Sequence, residues 1–242
     1  MMCLEAKDRE INLELAARLQ EKWANEASSA GAPVLDSGDL EGTRLVAGVD
    51  VAYAALGGGR EVGYACAVAW DVAGRRVVNA SVVKAFPRFP YVAGFLGCRE
   101  AAPCVRAVGL LPRKPDALLV DGHGSDHPRR FGSAVHVGFL AGVPSVGVAK
   151  APFHGVCRLR DVADEAGASA PVLDPVTGEV LGRAVRTGRG RRPLFVSPGT
   201  AVTIEFAVGL VLRTSEEHRL PEPLFLADKL GKLARSLRWP SW

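Results

Sequence analysis

The chain is short of cysteine, lacks any long apolar run, and shows no strong excess of one charge. Its five cysteines (Cys3, Cys66, Cys98, Cys104 and Cys157) are odd in number and none falls in a Cys-x-x-Cys spacing. That argues against a disulfide framework or a zinc knuckle and fits a reducing compartment. No apolar run reaches membrane-spanning length, since the stretch from Ala201 to Leu212 is too short and carries Glu205. Met1 to Glu10 is charged and has no apolar centre of a secretory signal, so a cytoplasmic location is expected. Repeats and low-complexity tracts are missing too, which removes solenoid and collagen architectures. The 30 Lys+Arg against 26 Asp+Glu leave a net charge of +4, compatible with an anionic partner but no argument for one.

What is present is ordinary for a folded chain: 242 residues, 48% hydrophobic and 23% charged. That is enough for a substantial core in one domain, residues 1–242. Residues 5–25 read as an amphipathic helix, with Ile11, Leu15, Leu19 and Trp23 at near-helical spacing. After a Gly/Ser/Asp-rich loop, residues 44–54, 62–70 and 76–86 read as strands, joined at Gly57-Gly58-Gly59 and at Ala73-Gly74. Adjacent antiparallel hairpins are the economical reading. Residues 94–111 look helical apart from Pro103, and short apolar strands follow at 117–120 and 144–148 around a helical stretch at 132–141. Strand, helix and strand with short loops predict a right-handed parallel crossover. Residues 172–196 read as a further hairpin, and 202–213 and 223–237 as closing helices. The expected fold is an α/β mixed sheet, antiparallel strands followed by parallel ones, flanked by helices.

Chemistry is suggested by acids in apolar surroundings. Asp50 lies mid-strand in Leu45-Val-Ala-Gly-Val-Asp50-Val-Ala-Tyr53, where an uncompensated carboxylate would cost several kcal/mol. Asp121 ends the apolar strand Leu118-Leu119-Val120, at the edge where ligands of open sheets bind. Glu100 falls on the helix between them. Each alone reads as well as a turn residue, a helix cap or a solvated acid. Together Asp50 and Asp121 on neighbouring strands would suit a hard divalent cation that completes its shell with water and phosphate oxygens. His123, His127 and His136 offer a competing zinc reading, weakened by Gly122, Gly124 and Pro128, which disfavour a helix there. The Asp121-Gly-His-Gly run lets backbone approach a ligand closely.

These segments, taken in order, resemble the endonuclease V family of deoxyinosine-directed nucleases, which have a ribonuclease H-like fold. The likeness spans roughly residues 46 to 229. It is carried by Val46-Ala-Gly-Val-Asp50-Val-Ala-Tyr53, by Pro90-Tyr91-Val-Ala-Gly-Phe-Leu-Gly-Cys-Arg99-Glu100 and by Asp116-Ala-Leu-Leu-Val-Asp121-Gly-His-Gly. It continues through His127-Pro-Arg-Arg-Phe-Gly-Ser-Ala, Pro144-Ser-Val-Gly-Val-Ala-Lys150, Gly178-Glu-Val-Leu-Gly-Arg183 with Arg186-Thr187, Ser197-Pro198-Gly199, and Arg219-Leu-Pro-Glu-Pro223. Any one motif is weak, and the succession is specific.

The resemblance implies that Asp50 and Asp121 ligate Mg2+, with Mn2+ able to substitute, and that Glu100 completes the acidic site. Lys150 would lie near the scissile phosphate. Tyr91 would insert into the duplex beside the lesion, and Gly122, His123 and Gly124 would meet the flipped base. The partner would be duplex or single-stranded DNA with deaminated bases, no membrane would be involved, and the protein would act as a monomer. Family members are expected to cut the second phosphodiester 3′ to the lesion, leaving 3′-hydroxyl and 5′-phosphate ends. Arg129, Arg130 and Arg186 stand among cations that would hold phosphates, with Arg183, Arg189, Arg191 and Arg192 giving five charges in ten residues; a solvated loop face is the equal alternative. Three positions depart from the family pattern. Thr200 replaces the usual His after Ser-Pro-Gly, Ala93 replaces the second proline of the wedge, and Ala101-Ala102-Pro103 adds one residue after Glu100. Thr200→His would raise cleavage if that position takes part in chemistry. A lesion-binding protein with feeble catalysis, or an inosine-directed ribonuclease, are the competing readings.

Overall fold

The computed structural model describes residues 12–29 and 34–237. The first helix, α1 (Leu13–Ser29), begins where the Asn12 side chain accepts the Leu15 N–H at 2.9 Å, an N-cap. It runs beyond the expected end at 25, and residues 5–11 lie outside the described part. Its apolar stripe is not the buried face. Leu15 and Leu19 are 56% and 38% exposed, while Gln20 is 1% exposed and Trp23 packs on Phe131, His136 and Phe139. The helix docks through one aromatic ring and one hydrogen-bonding amide, which hydrophobic periodicity does not detect.

Strands β1 (Leu45–Gly57), β2 (Arg60–Asp71) and β3 (Arg76–Ala85) form the expected antiparallel meander. The first reversal uses Gly57, Gly58 and Gly59, all with positive φ, a region that other residues enter reluctantly. Helix α2 (Leu96–Gly109) then crosses to β4 (Ala117–Asp121), parallel to β1. It runs straight through Pro103, whose missing N–H leaves the Arg99 carbonyl without its helical donor. Helix α3 (Ser133–Ala141) leads to β5 (Ser145–Ala149), parallel to β4.

The rest of the sheet corrects one expectation. Residues 172–196 are not a single hairpin, because three antiparallel strands occupy the region: β6 (Ser169–Leu173), β7 (Val180–Val185) and β8 (Leu194–Pro198). The Asp174 turn joins β6 to β7, with its carboxylate accepting the Val176 and Thr177 N–H groups. A second reversal, around Gly188 and Gly190, returns β8 antiparallel to β5. Pro171 is tolerated because β6 is an edge strand. The sheet order is β3-β2-β1-β4-β5-β8-β7-β6, and helices α4 (Ile204–Arg213) and α5 (Glu222–Ser236) close the fold.

Strand alternation sorts the core onto two faces. Ala47, Val49, Leu118 and Val120 pack with α2 and α3 residues such as Ala101, Cys104 and Val137. Val46, Ala117, Leu119, Val146 and Val148 pack with Phe206, Leu210 and Leu224 of α4 and α5. Both faces of β4 are covered, as its unbroken apolar run requires. Among the described residues, no helix is long and apolar enough to cross a membrane.

Candidate active site

Asp50 and Asp121 come together because the parallel register puts them there. Val49 pairs with Val120, so the two aspartates stand one step further along neighbouring strands, about 5 Å apart at the backbone. They share the parity of Val46 and Leu119, so both point to the α4/α5 face. Burial raises the Asp50 carboxyl to about 6, and the Asp121 charge adds to that rise. Lys150, one residue past β5, hydrogen-bonds Asp121 through its ammonium. Burial opposes that charge, but Asp121, Asp50 and Asp228 outweigh it and raise the Lys150 pKa.

Glu100 reaches the same point from α2, on the opposite face. Burial pushes its carboxyl up to about 8; the Tyr53 hydroxyl hydrogen-bonds it and works against the rise, while Asp50 and Asp121 add to it. Tyr53 is fixed in turn by Arg99, whose guanidinium sits 4.3 Å over the ring and bonds Glu61 at 2.6 Å and the Phe89 carbonyl at 3.0 Å.

Asp228 went unnoticed in the sequence. Helix α5 carries it over β1, seated by two glycines. A Cβ on Gly48 would lie 2.2 Å from the Pro223 carbonyl carbon and oxygen, and one on Gly231 would meet the Ala52 Cβ at 3.0 Å. The Asp228 charge acts on both Asp50 and Lys150. It reads in sequence as a solvated helix acid, paired with Lys232 one turn on at 2.6 Å.

Beside the carboxylates opens a pocket of about 300 Å³, between the 91–97 segment, the 121–123 loop, the start of α3 and the 149–153 segment. Tyr91 stands at its rim, 74% exposed. The rim segment is held by one carbonyl: Gly94 O accepts from Gln20 Nε2 (3.1 Å), His127 Nε2 (3.0 Å) and Arg129 Nη2 (2.8 Å). Burial drives His127 down to about 4, so it serves as a neutral donor here. Phe153 lies against the His123 and His127 rings. Its own loop hangs on the buried Asp126 carboxylate, which accepts the N–H groups of Phe153, His154 and Gly155.

The sequence model of the Endonuclease V family matches residues 32–229. The chain belongs to the endonuclease V family. A curated Endonuclease V of Gloeobacter violaceus is 41% identical over 207 residues, covering 84% of this chain and 81% of that one. The crystal structure of a Bacillus subtilis endonuclease V superposes with a TM-score of 0.85 at 28% identity, over 96% of this chain and 95% of that one. A Ciona intestinalis endonuclease V, solved with a 24-mer DNA containing an inosine followed by a ribo-adenosine, matches with a TM-score of 0.77 at 25% identity, over 94% and 100% of the two chains. The protein is thus an enzyme, an endonuclease, on the mixed α/β sheet that these relatives share.

The remaining expected site residues are largely engaged within the protein. The Gly122 N–H donates to Val148 O at 3.2 Å and the Gly124 N–H to Ser197 Oγ at 2.8 Å, so neither is free to read a base. Gly122 instead makes room for the Ser133 side chain, since a Cβ there would lie 2.1 Å from its hydroxyl. Gly124 is needed because a Cβ there would strike the Pro198 carbonyl. His123 lines the pocket with Nδ1 3.3 Å from Asp126. Arg129 is tied to Gln20 and Gly94, and Arg130 to Asp174 (2.6 Å) and Glu179 (2.9 Å). Arg186 binds the Ala163, Val162 and Arg191 carbonyls, and Arg191 those of His218, Glu216 and Glu217. Arg186 and Arg191 thus tie this loop to the 162–163 and 216–218 segments by guanidinium–carbonyl bonds. Thr200 is not at the site. It lies beyond β8 next to Ser145, at the opening end of β5, about 15 Å from the Asp121 end, and its hydroxyl donates to Val135 O at 3.1 Å.

Proposed function

We propose that this endonuclease acts on DNA, duplex or single-stranded, that carries deaminated purines, deoxyinosine above all. It hydrolyses the second phosphodiester 3′ to the lesion, leaving 3′-hydroxyl and 5′-phosphate ends, as a monomer in the cytoplasm. The observation that carries this reading is the junction of two unlike environments: a carboxylate pair at the strand ends and a concave, largely apolar pocket sharing Asp121 as a wall. A base swung out of its stack fits such a pocket, and a mispaired inosine costs less to extrude than a well-paired base. Tyr91 stacks in the gap left behind, a contact worth about 1–3 kcal/mol per base.

The acidic end suits a divalent cation. Among the described residues no three His, Cys, Asp or Glu side chains close into a cage of their own. Two carboxylates, with water and substrate phosphate filling the rest, is the usual donor set of Mg2+, for which Mn2+ substitutes. Burial is the main reason that the Asp50 and Glu100 carboxyls are raised, and the charges of the neighbouring acids add to it, a combination that a bound cation would relieve. When bound, such an ion supplies a more acidic water and neutralises charge on the phosphodiester. Asp50 and Asp121 would hold it. Lys150, kept protonated by Asp121, places a positive charge beside the phosphate. Glu100 has a carboxyl that holds a proton near neutral pH, with the Tyr53 hydroxyl fixing its orientation. Lys84, Arg88 and Arg106 line a cleft next to Tyr53 and form no ion pair among the described residues, so they are among the cations that can meet the strand.

The test is a single-turnover time course on end-labelled duplexes with and without one inosine, in Mg2+ and in chelator. A nick mapped to the second bond 3′ to inosine, absent in chelator, supports the reading. Equal cleavage of both duplexes contradicts it. Competing DNA and RNA strands of one sequence separate deoxyribonuclease from ribonuclease, the second reading raised by the ribo-adenosine in the Ciona complex.

A further inference from the structure

Ser133 is 4% exposed, and its hydroxyl has no hydrogen-bond partner among the described residues. It occupies the first turn of α3, where no preceding helical carbonyl is available for a serine to bond back to. Its place is forced: a Cβ on the N-cap Gly132 would strike the His123 carbonyl, and the Ala134 N–H donates to that same oxygen at 3.0 Å. The hydroxyl sits against Gly122, where a Cβ would fall almost on top of it, and both residues line the pocket. Of the other polar groups there, His127 uses both ring nitrogens on Gly94 O and the Arg129 N–H, Asp121 pairs with Lys150, and Gly122 N–H is spent on Val148. His123 Nδ1, 3.3 Å from Asp126, is likewise buried without a hydrogen-bond partner among the described residues, but it faces that carboxylate. An orphaned buried hydroxyl is costly to a fold, so its retention in the pocket wall points to a partner that arrives with the ligand.

Resting on the base-pocket reading above, we propose that Ser133 Oγ hydrogen-bonds the purine seated in the pocket and is a side-chain determinant of which bases are accepted. A hydroxyl both donates and accepts, so it can meet the 6-oxo group, the N1–H or the N7 of hypoxanthine.

The experiment compares wild type with Ser133→Ala on three duplexes, bearing inosine, nebularine (no 6-oxo group and no N1–H) or 7-deazainosine (no N7). On inosine the variant should lose about tenfold in kcat/KM, the scale of one buried hydrogen bond. On whichever analogue lacks the contacted atom, variant and wild type should agree within about twofold. The melting temperature should hold or rise, since an unsatisfied hydroxyl is removed. Equal losses on all three duplexes, no loss on inosine, or a lowered melting temperature would overturn the proposal. Wild type cutting inosine duplexes no better than unmodified ones would overturn the pocket reading itself. An inosine preference that survives Ser133→Ala unchanged would overturn only the role of this hydroxyl.

Discussion

Gly48→Ala should damage catalysis without touching any group at the reacting centre. Gly48 lies on β1 two residues before Asp50, and its missing side chain is the seat of α5. The added methyl would stand 2.2 Å from the Pro223 carbonyl carbon and oxygen and 2.4 Å from Leu224 N, against an ordinary contact of 3.4 Å or more. Backbone cannot rotate away as a flexible side chain can, so α5 must lift by more than 1 Å at that end. Overpacking of this kind costs about 1–3 kcal/mol. The displaced helix carries Asp228, whose charge acts on Asp50 and Lys150. A shift of that size in a positioned group can cost about a hundredfold in rate. Urea denaturation and single-turnover nicking of an inosine duplex measure the two effects. A variant as stable as wild type, cutting at the wild-type rate, would refute the account of how α5 is seated.

Asp126 gives a pH-dependent test. Burial works to raise its carboxyl, but the His123 ring, the Gly155 N–H and its neighbours outweigh that and hold it at about 2, against an ordinary 3.8. A depressed acid stabilises the fold above its unfolded value and loses that contribution as pH falls through the folded one. The difference corresponds to about 2.5 kcal/mol. Asp126→Asn should therefore lower unfolding free energy by about 2 kcal/mol at pH 7, with the gap from wild type closing towards pH 2. A gap constant across that range would exclude the carboxylate charge as its source. Thr200→His should leave the single-turnover rate within about twofold while lowering the melting temperature, because the hydroxyl bond to Val135 is lost and a larger ring must fit against Gly138. A higher rate would return that position to the chemistry.

The two aspartates were legible because each breaks an apolar strand, and a buried charge needs a reason wherever it falls. The parallel crossover from β4 through α3 to β5 followed from strand, helix and strand with short loops, whereas the pairing that brings positions 50 and 121 side by side is that of β1 with β4, after the meander and α2. Asp228 was not legible, since one acid on a helix with a lysine four residues on looks like any solvated pair. Gln20 escaped for the opposite reason: a polar residue breaks the apolar stripe by which a buried helix face is recognised, yet it is the best-buried residue of α1. In the arginine-rich stretch after residue 182, Arg186 and Arg191 are spent on main-chain carbonyls, which composition does not foresee because it counts charges but not the carbonyls that neighbouring segments leave unpaired. Thr200 was misplaced because motif order does not say at which end of a strand a residue emerges, and the antiparallel return of β8 carries it away from Asp121.

Asp50→Asn, read by single-turnover nicking and by band-shift binding of the same inosine duplex, tests the central claim most directly. Burial and Asp121 disfavour the Asp50 charge, so the neutral amide should fold at least as stably as wild type, and a lost rate will not be a lost fold. The account predicts nicking reduced about a thousandfold or more, the several kcal/mol that a held cation supplies, with binding preserved. Nicking within tenfold of wild type would contradict it.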